Sequence, residues 1–159
     1  MKMKAQAAME YLMTYGWAIL IVIIVAAALW ALGVFNPSTW TQASATGFSG
    51  FQIPSGGWQV SSSQVVVLLK NSAGANINVT GITATYGSGT TAASTPPTGS
   101  GLGVQLAANN QTQFTLSGGT FSGPSSGSSY TLTVKIIYDN LETGLKGFTS
   151  QGTLTGTAV

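Results

Sequence analysis

Few side chains in this chain can do acid–base, nucleophilic or metal chemistry. Of 159 residues, five are Lys or Arg, three are Asp or Glu, and there is no Cys or His. The charges sit at Lys2, Lys4, Glu10, Lys70, Lys135, Asp139, Glu142 and Lys146. Without His or Cys, the usual zinc sites cannot be built. Neither can a Ser-His-Asp triad or a Cys nucleophile. Asp139 and Glu142 lie on one predicted turn, a poor setting for a paired general acid and base. With Asn140 they offer fewer oxygens than the six to eight that calcium takes. No catalytic, cofactor-binding or metal-ligating residue is therefore assigned, and an enzyme is not expected. Arg is absent and Lys is scattered, so the clustered cations of a nucleic-acid footprint are missing. The tip at 139–146 reads first as a solvated hairpin and second as a contact with a neighbouring copy.

The residue that stands out is Glu10. It directly precedes Tyr11–Phe35, YLMTYGWAILIVIIVAAALWALGVF, a run without charge. About 20 such residues span a bilayer, and a helix that is apolar all round is hidden on every side. Asn36-Pro37 is the expected stop. A helix from Gln6 to Phe35 would be roughly 45 Å long at about 1.5 Å per residue. A carboxylate at the edge of such a run calls for a partner, or else it favours the positive end of the helix dipole. Lys2 and Lys4 precede the run, so the N-terminus stays inside and the rest is exported. Tyr11 and Tyr15 share a face. Gly16, Ala18, Ala26–Ala28, Ala31 and Gly33 are small enough for close helix approach. A cleaved secretory signal would find small residues at Ala26–Ala28, but the apolar stretch outruns the usual signal length. A plain signal anchor is a further reading.

The segment Lys4-Ala5-Gln6-Ala7-Ala8-Met9-Glu10-Tyr11-Leu12, with the run that follows, resembles the N-termini of type IV pilins, most closely archaeal pilin-like proteins. The resemblance covers about 30 residues. It implies a class III signal peptide cut between Ala5 and Gln6 by a membrane prepilin peptidase, a cut after Lys4 being the lesser alternative. Glu10 then becomes the fifth mature residue, the position that meets a neighbour's N-terminal amine in that family. The implied partners are copies of itself in a helical homopolymer, the peptidase and assembly machinery, and the membrane before assembly. The implied place is the cell surface, as an extracellular filament with a role in adhesion or attachment. A membrane-anchored β-domain protein that binds a ligand or sugar without polymerising is the alternative, as is an archaeal flagellum-type filament subunit.

Those readings divide the chain into a leader at 1–5, a hydrophobic helix at 6–36 and an exported domain at 37–159. Gly, Ser and Thr number 60 (21, 18 and 21), and after residue 37 they punctuate short apolar alternations, the pattern of strands. Tyr130, Leu132, Val134, Ile136 and Tyr138 fall on one face of a strand. A turn at 139–144 and a partner strand over 145–159 complete a hairpin. Residues 64–70 are nearly all apolar and predict a buried strand. Residues 76–86 alternate with a phase slip at Gly81, the mark of a bulge. Weaker strands are expected at 47–53, 57–61, 103–107 and 111–117, with loops at 87–101 and 117–129. The fold class is thus α+β: one long hydrophobic helix, then an all-β, immunoglobulin-like β-sandwich. Two sequons, Asn78-Val79-Thr80 and Asn110-Gln111-Thr112, are candidate glycosylation sites. Asn110 is favoured because it adjoins a polar turn.

Overall fold

A computed structural model describes residues 2–36, 40–92, 103–118 and 120–159, with 2–6 and 89–92 described by backbone alone. The chain forms two compact units, Met1–Trp40 and Thr41–Val159.

The first unit is one helix, α1 (Lys2–Ala31). It begins before the expected start at Gln6, because Met, Lys, Ala and Gln are all good helix formers. It also ends earlier than expected. Gly33 adopts a left-handed φ of 69°. Its N–H donates to Trp30 O at 3.0 Å, and Val34 N–H donates to Leu29 O at 3.1 Å. This pair of bonds is a Schellman motif, with glycine where a Cβ would be strained. Gly33 therefore caps the helix instead of offering a packing notch along it. Pro37, the expected stop, lies outside the described residues.

The second unit is a two-sheet antiparallel sandwich. Among the described residues its strands are β1 (Ser44–Thr46), β2 (Phe51–Gln52), β3 (Trp58–Val60), β4 (Gln64–Asn71), β5 (Ile77–Tyr86), β6 (Gly89–Ala92), β7 (Val104–Leu106), β8 (Gln111–Ser117), β9 (Ser129–Asn140) and β10 (Phe148–Thr157). One sheet runs β1-β10-β9-β5-β6, with β7 also on β5. Because β9 lies along one edge of β5, the short β6 and β7 share the other. The second sheet is β4 with β8 on one edge and β2 and β3 on the other. Each of the links β4–β5, β7–β8 and β8–β9 crosses between sheets. β4 with β8, and β5 with β9 and β10, correspond to the B–E and C–F–G sets of immunoglobulin-type sandwiches.

One core lies between the sheets. Val65, Val67, Leu69, Phe114 and Leu116 face Ile77, Val79, Ile82, Ala84, Leu132, Val134, Ile136 and Leu154. The period-two pattern of β9 is realised, with Tyr130, Leu132, Val134 and Ile136 buried and Tyr138 half-buried at the end. The phase slip in β5 is realised too. The β5–β9 register shifts between Val79 and Gly81, and Ile82 and Ala84 return to the core. β4 is buried on one face only. Val66 and Leu68 are half-covered on the outer face, where Leu68 N–H donates to Gly57 O at 2.6 Å. The predicted loop at 87–101 instead begins with a two-residue turn and β6, with Tyr86 opposite Gly89. β1 was not foreseen. It pairs with β10 through Ala45 and Leu154.

Candidate functional site

The helix is the first candidate. Ala7–Ala31 is 25 residues long and apolar enough to cross a membrane, and none of it is buried within the chain. Apolar side chains emerge on every face. Trp17, near the middle of the helix, and Trp30, at its C-terminal end, are 69% and 78% exposed. Such a segment is either a membrane anchor or a signal sequence, or it is covered by other protein. The Ala5–Gln6 bond lies inside the helix, in its first turns. Glu10 is exposed on the helix surface, and among the described residues no cation pairs with it. One turn on, Thr14 Oγ1 donates to Glu10 O at 3.0 Å, which satisfies the threonine hydroxyl without a partner outside the helix. Tyr11 and Tyr15 stack with centroids 4.5 Å apart, as their spacing predicts. The N-terminal half of the helix thus presents one carboxylate beside two stacked aromatic rings.

The two sequons have different surroundings. Asn78 sits inside β5, between Gln105 of β7 and Asp139 of β9. Gly103, at φ 92°, crosses directly over it. A Cβ there would come within 2.7 Å of Asn78 Oδ1 and 3.0 Å of Nδ2. The Asn78 amide is therefore roofed by backbone, which obstructs a glycan-forming enzyme. Asn110 is exposed and ends the Ala107–Asn110 turn, where Asn110 N–H donates to Ala107 O at 3.1 Å. Its side chain has open approach.

Asp139, Glu142 and Lys146 occupy one end of the sandwich. The β4–β5 loop and the β7–β8 turn meet there, because Ile77 pairs with both Asn140 and Leu106. Lys70, next to last in β4, lies level with them on the outer face of the other sheet. The chain enters the sandwich at the opposite end, where Thr155 Oγ1 donates to Gln42 O at 3.3 Å. All charges of the β domain therefore lie in or beyond the middle of β9, toward the end away from the linkage to the helix. Hydrogen bonds hold this far end. Asp139 Oδ1 accepts from Gly147 N–H at 2.8 Å. Glu142 Oε1 accepts from Asn76 N–H at 3.0 Å, and Asn76 Oδ1 accepts from Ala108 N–H at 3.1 Å.

Beneath that network is Asn71, fully buried. Its Nδ2 donates to Ala75 O at 2.8 Å and to Leu106 O at 3.0 Å, and its Oδ1 accepts from Ala73 N–H at 2.9 Å. Its backbone exchanges bonds with Asn109 and Asn110. Sequence reading passed over this residue. The available signal was an amide at the inward-facing phase of β4, immediately before a Ser-Ala-Gly turn. At the other end Tyr130 Oη accepts from Trp58 Nε1 at 3.0 Å. Burial pushes the Tyr130 phenol above its ordinary value, and the Trp58 bond offsets this in part. Among the described residues no group of three or more His, Cys, Asp or Glu could hold a metal ion.

One long apolar helix, exposed on all sides, followed by an antiparallel β-sandwich with an uncharged entry end and a charged far end, defines the class of this protein. Compared with protein-family models, curated proteins and solved structures, the chain matches none of them.

Proposed function

We propose that this chain is the structural subunit of an extracellular, type IV pilus-like filament that serves surface attachment. The observation that carries this reading is the 25-residue apolar helix with no side of its own chain to cover it. Each large apolar side chain kept from water is worth about 1.5–3 kcal/mol. The helix carries more than ten of them, so it rests in lipid or in a polymer of its own kind. The β-sandwich suits an outer layer, since its Thr-, Ser- and Gly-rich faces stay wet without charge.

In this reading the precursor sits in the cytoplasmic membrane with its N-terminus inside. Prepilin peptidase removes residues 1–5 and with them Lys2 and Lys4. The mature side chains then balance at three Lys (70, 135, 146) against three acids (Glu10, Asp139, Glu142). The new amine of Gln6 pairs with Glu10 of a neighbour as helices leave lipid together. Buried pairs of this kind add little net stability but fix register. Contacts between unlike surfaces that do not close on themselves extend into a helical polymer. Asn110 carries the surface glycan.

Electron microscopy of sheared cell-surface material, with N-terminal sequencing of this chain, tests the reading. Filaments whose subunits begin at Gln6 support it. A chain that stays in membranes as a monomer with Met1 intact overturns it.

A further inference from the structure

We infer that a bilayer holds α1 at one fixed depth, with Trp30, Phe35 and Trp40 anchoring its exit end among the lipid headgroups and Tyr11 and Tyr15 anchoring its entry end. The partner of these aromatic side chains is lipid, and the end of the helix itself sets where the lipid stops. The inference rests on the membrane-held precursor of the proposed function and not on the filament.

The exit boundary follows from the backbone. The last turn of a helix leaves carbonyls without a partner in the ladder, and non-helical backbone does not face hydrocarbon. Regular helix stops at Ala31, and Gly33 turns the chain out of it at φ 69°. Hydrocarbon therefore ends near Trp30, although apolar side chains continue to Phe35. Phe35 and Trp40 are 61% and 69% exposed. Trp40 reaches back to the helix end, where its Nε1 donates to Val34 O at 3.3 Å, so an indole meets a carbonyl that has left the ladder. A cleft of about 330 Å³, lined by Trp30, Gly33, Phe35 and Asn36, opens at the same level. Indole rings collect at the membrane–water boundary because one edge is polar and the body is apolar.

The entry boundary follows from length. From Trp30 back to Tyr11 is roughly 28 Å at about 1.5 Å per residue, close to the roughly 30 Å of a hydrocarbon core. Tyr11 and Tyr15 are exposed and stacked there. Helix side chains lean toward the N-terminus, which carries both phenols toward the headgroups. A seat with Trp17 at this boundary would draw the non-helical backbone of 32–36 into hydrocarbon. At the inferred depth Trp17 instead lies roughly 9 Å inside Tyr11. Glu10 falls just outside, among headgroups and water, so its carboxylate needs no partner while the helix is in lipid. That need arises only when the helix leaves. The Ala5–Gln6 bond stands roughly 8 Å beyond Tyr11, on the same side.

The full chain in phosphatidylcholine nanodiscs, open to water on both faces, tests both boundaries. The chain has no cysteine, so a single introduced thiol reports its own contact with water. Met9→Cys and Val34→Cys react with a water-soluble maleimide severalfold faster than Met13→Cys and Ala27→Cys. Tryptophan depth is a second reading. Each of Trp17, Trp30 and Trp40 is kept in turn while the other two are changed to Phe. The signal of Trp58, measured with all three changed, is subtracted. Nitroxide lipids labelled near the headgroup quench Trp30 and Trp40 severalfold more than lipids labelled near the chain end, and Trp17 shows the reverse. Equal labelling at 9 and 13, equal labelling at 27 and 34, or Trp30 quenched as deeply as Trp17 would each overturn the fixed depth and leave the subunit reading standing. A chain that does not float with lipid, or thiols shielded at all four positions by other helices, would overturn the membrane-held precursor as well.

Discussion

Asn71→Ala is the substitution whose cost follows most directly from the geometry. It removes two donated bonds, to Ala75 O and Leu106 O, and one accepted bond, from Ala73 N–H. A buried polar group left without its partner costs about 1–3 kcal/mol. Two carbonyls and one N–H are exposed to that penalty. Ala73 is exposed and its N–H finds water, so about 3–5 kcal/mol is expected in total. A small domain has about 5–15 kcal/mol to lose. Asn71→Asp is no remedy, because it keeps the acceptor but sets a carboxylate against two carbonyl oxygens. Asn71→Leu fills the volume yet leaves the same three groups unmet. Ser150→Ala is the control. It deletes one bond, to Ser49 N–H at 2.9 Å, at a similarly buried position, and costs about 1 kcal/mol. Urea unfolding of the full chain in detergent, followed by tryptophan fluorescence and by far-ultraviolet circular dichroism, measures both. The variant also loosens the loop and turn that carry Asn76 and Asn110, so protease cuts within 72–76 and 107–110 rise together. An Asn71→Ala protein within about 1 kcal/mol of the unaltered chain would refute this account of the far end.

Glu10→Gln keeps the shape of the side chain and removes its charge; filament yield should fall, or the helical pitch change, by electron microscopy, and normal filaments would end its role in register. The Tyr130 phenol is held above its ordinary value by burial. The folded state thus keeps a proton that the unfolded chain releases near pH 10. Its contribution to stability is whole below about pH 10 and is lost as pH rises through the folded value. Tyr130→Phe should flatten that alkaline decline in unfolding experiments, at a cost of about 1 kcal/mol near neutral pH for the acceptor lost to Trp58. Intact-mass measurement of native protein should show a glycan lost with Asn110→Gln and no change with Asn78→Gln.

Much of the β domain was legible because its signals are local. The alternation Tyr130 to Tyr138 names one face of β9 whichever strand lies beside it. The slip at Gly81 predicts the bulge because one extra residue reverses every later side chain. The span of β8 agrees with the expected 111–117, since polar residues alternate with Phe114 and Leu116. Readings went astray where the deciding partner is distant in sequence. The apolar run 64–70 suggests burial on both faces, but Val66 and Leu68 are only half-covered on the outer face. β6 carries no apolar pattern and is a strand because Gly87-Ser88 folds it back on β5. Gly33 looked like a small packing residue, whereas the local bonds from Gly33 and Val34 make it the cap.

By itself the sequence determined a long helix that water cannot surround and a neutral, turn-rich β domain behind it. Both follow from side-chain periodicity and from the cost of exposing apolar surface, which are properties of neighbouring residues. Only the tertiary structure decided that Lys70 lies at the same end of the sandwich as Asp139, Glu142 and Lys146, that Gly103 roofs Asn78 while Asn110 stands open, and that a buried Asn71 ties the β4–β5 loop to the β7–β8 turn. Strand pairing and the crossings between sheets set which residues share one end of a sandwich, and those pairings join positions tens of residues apart.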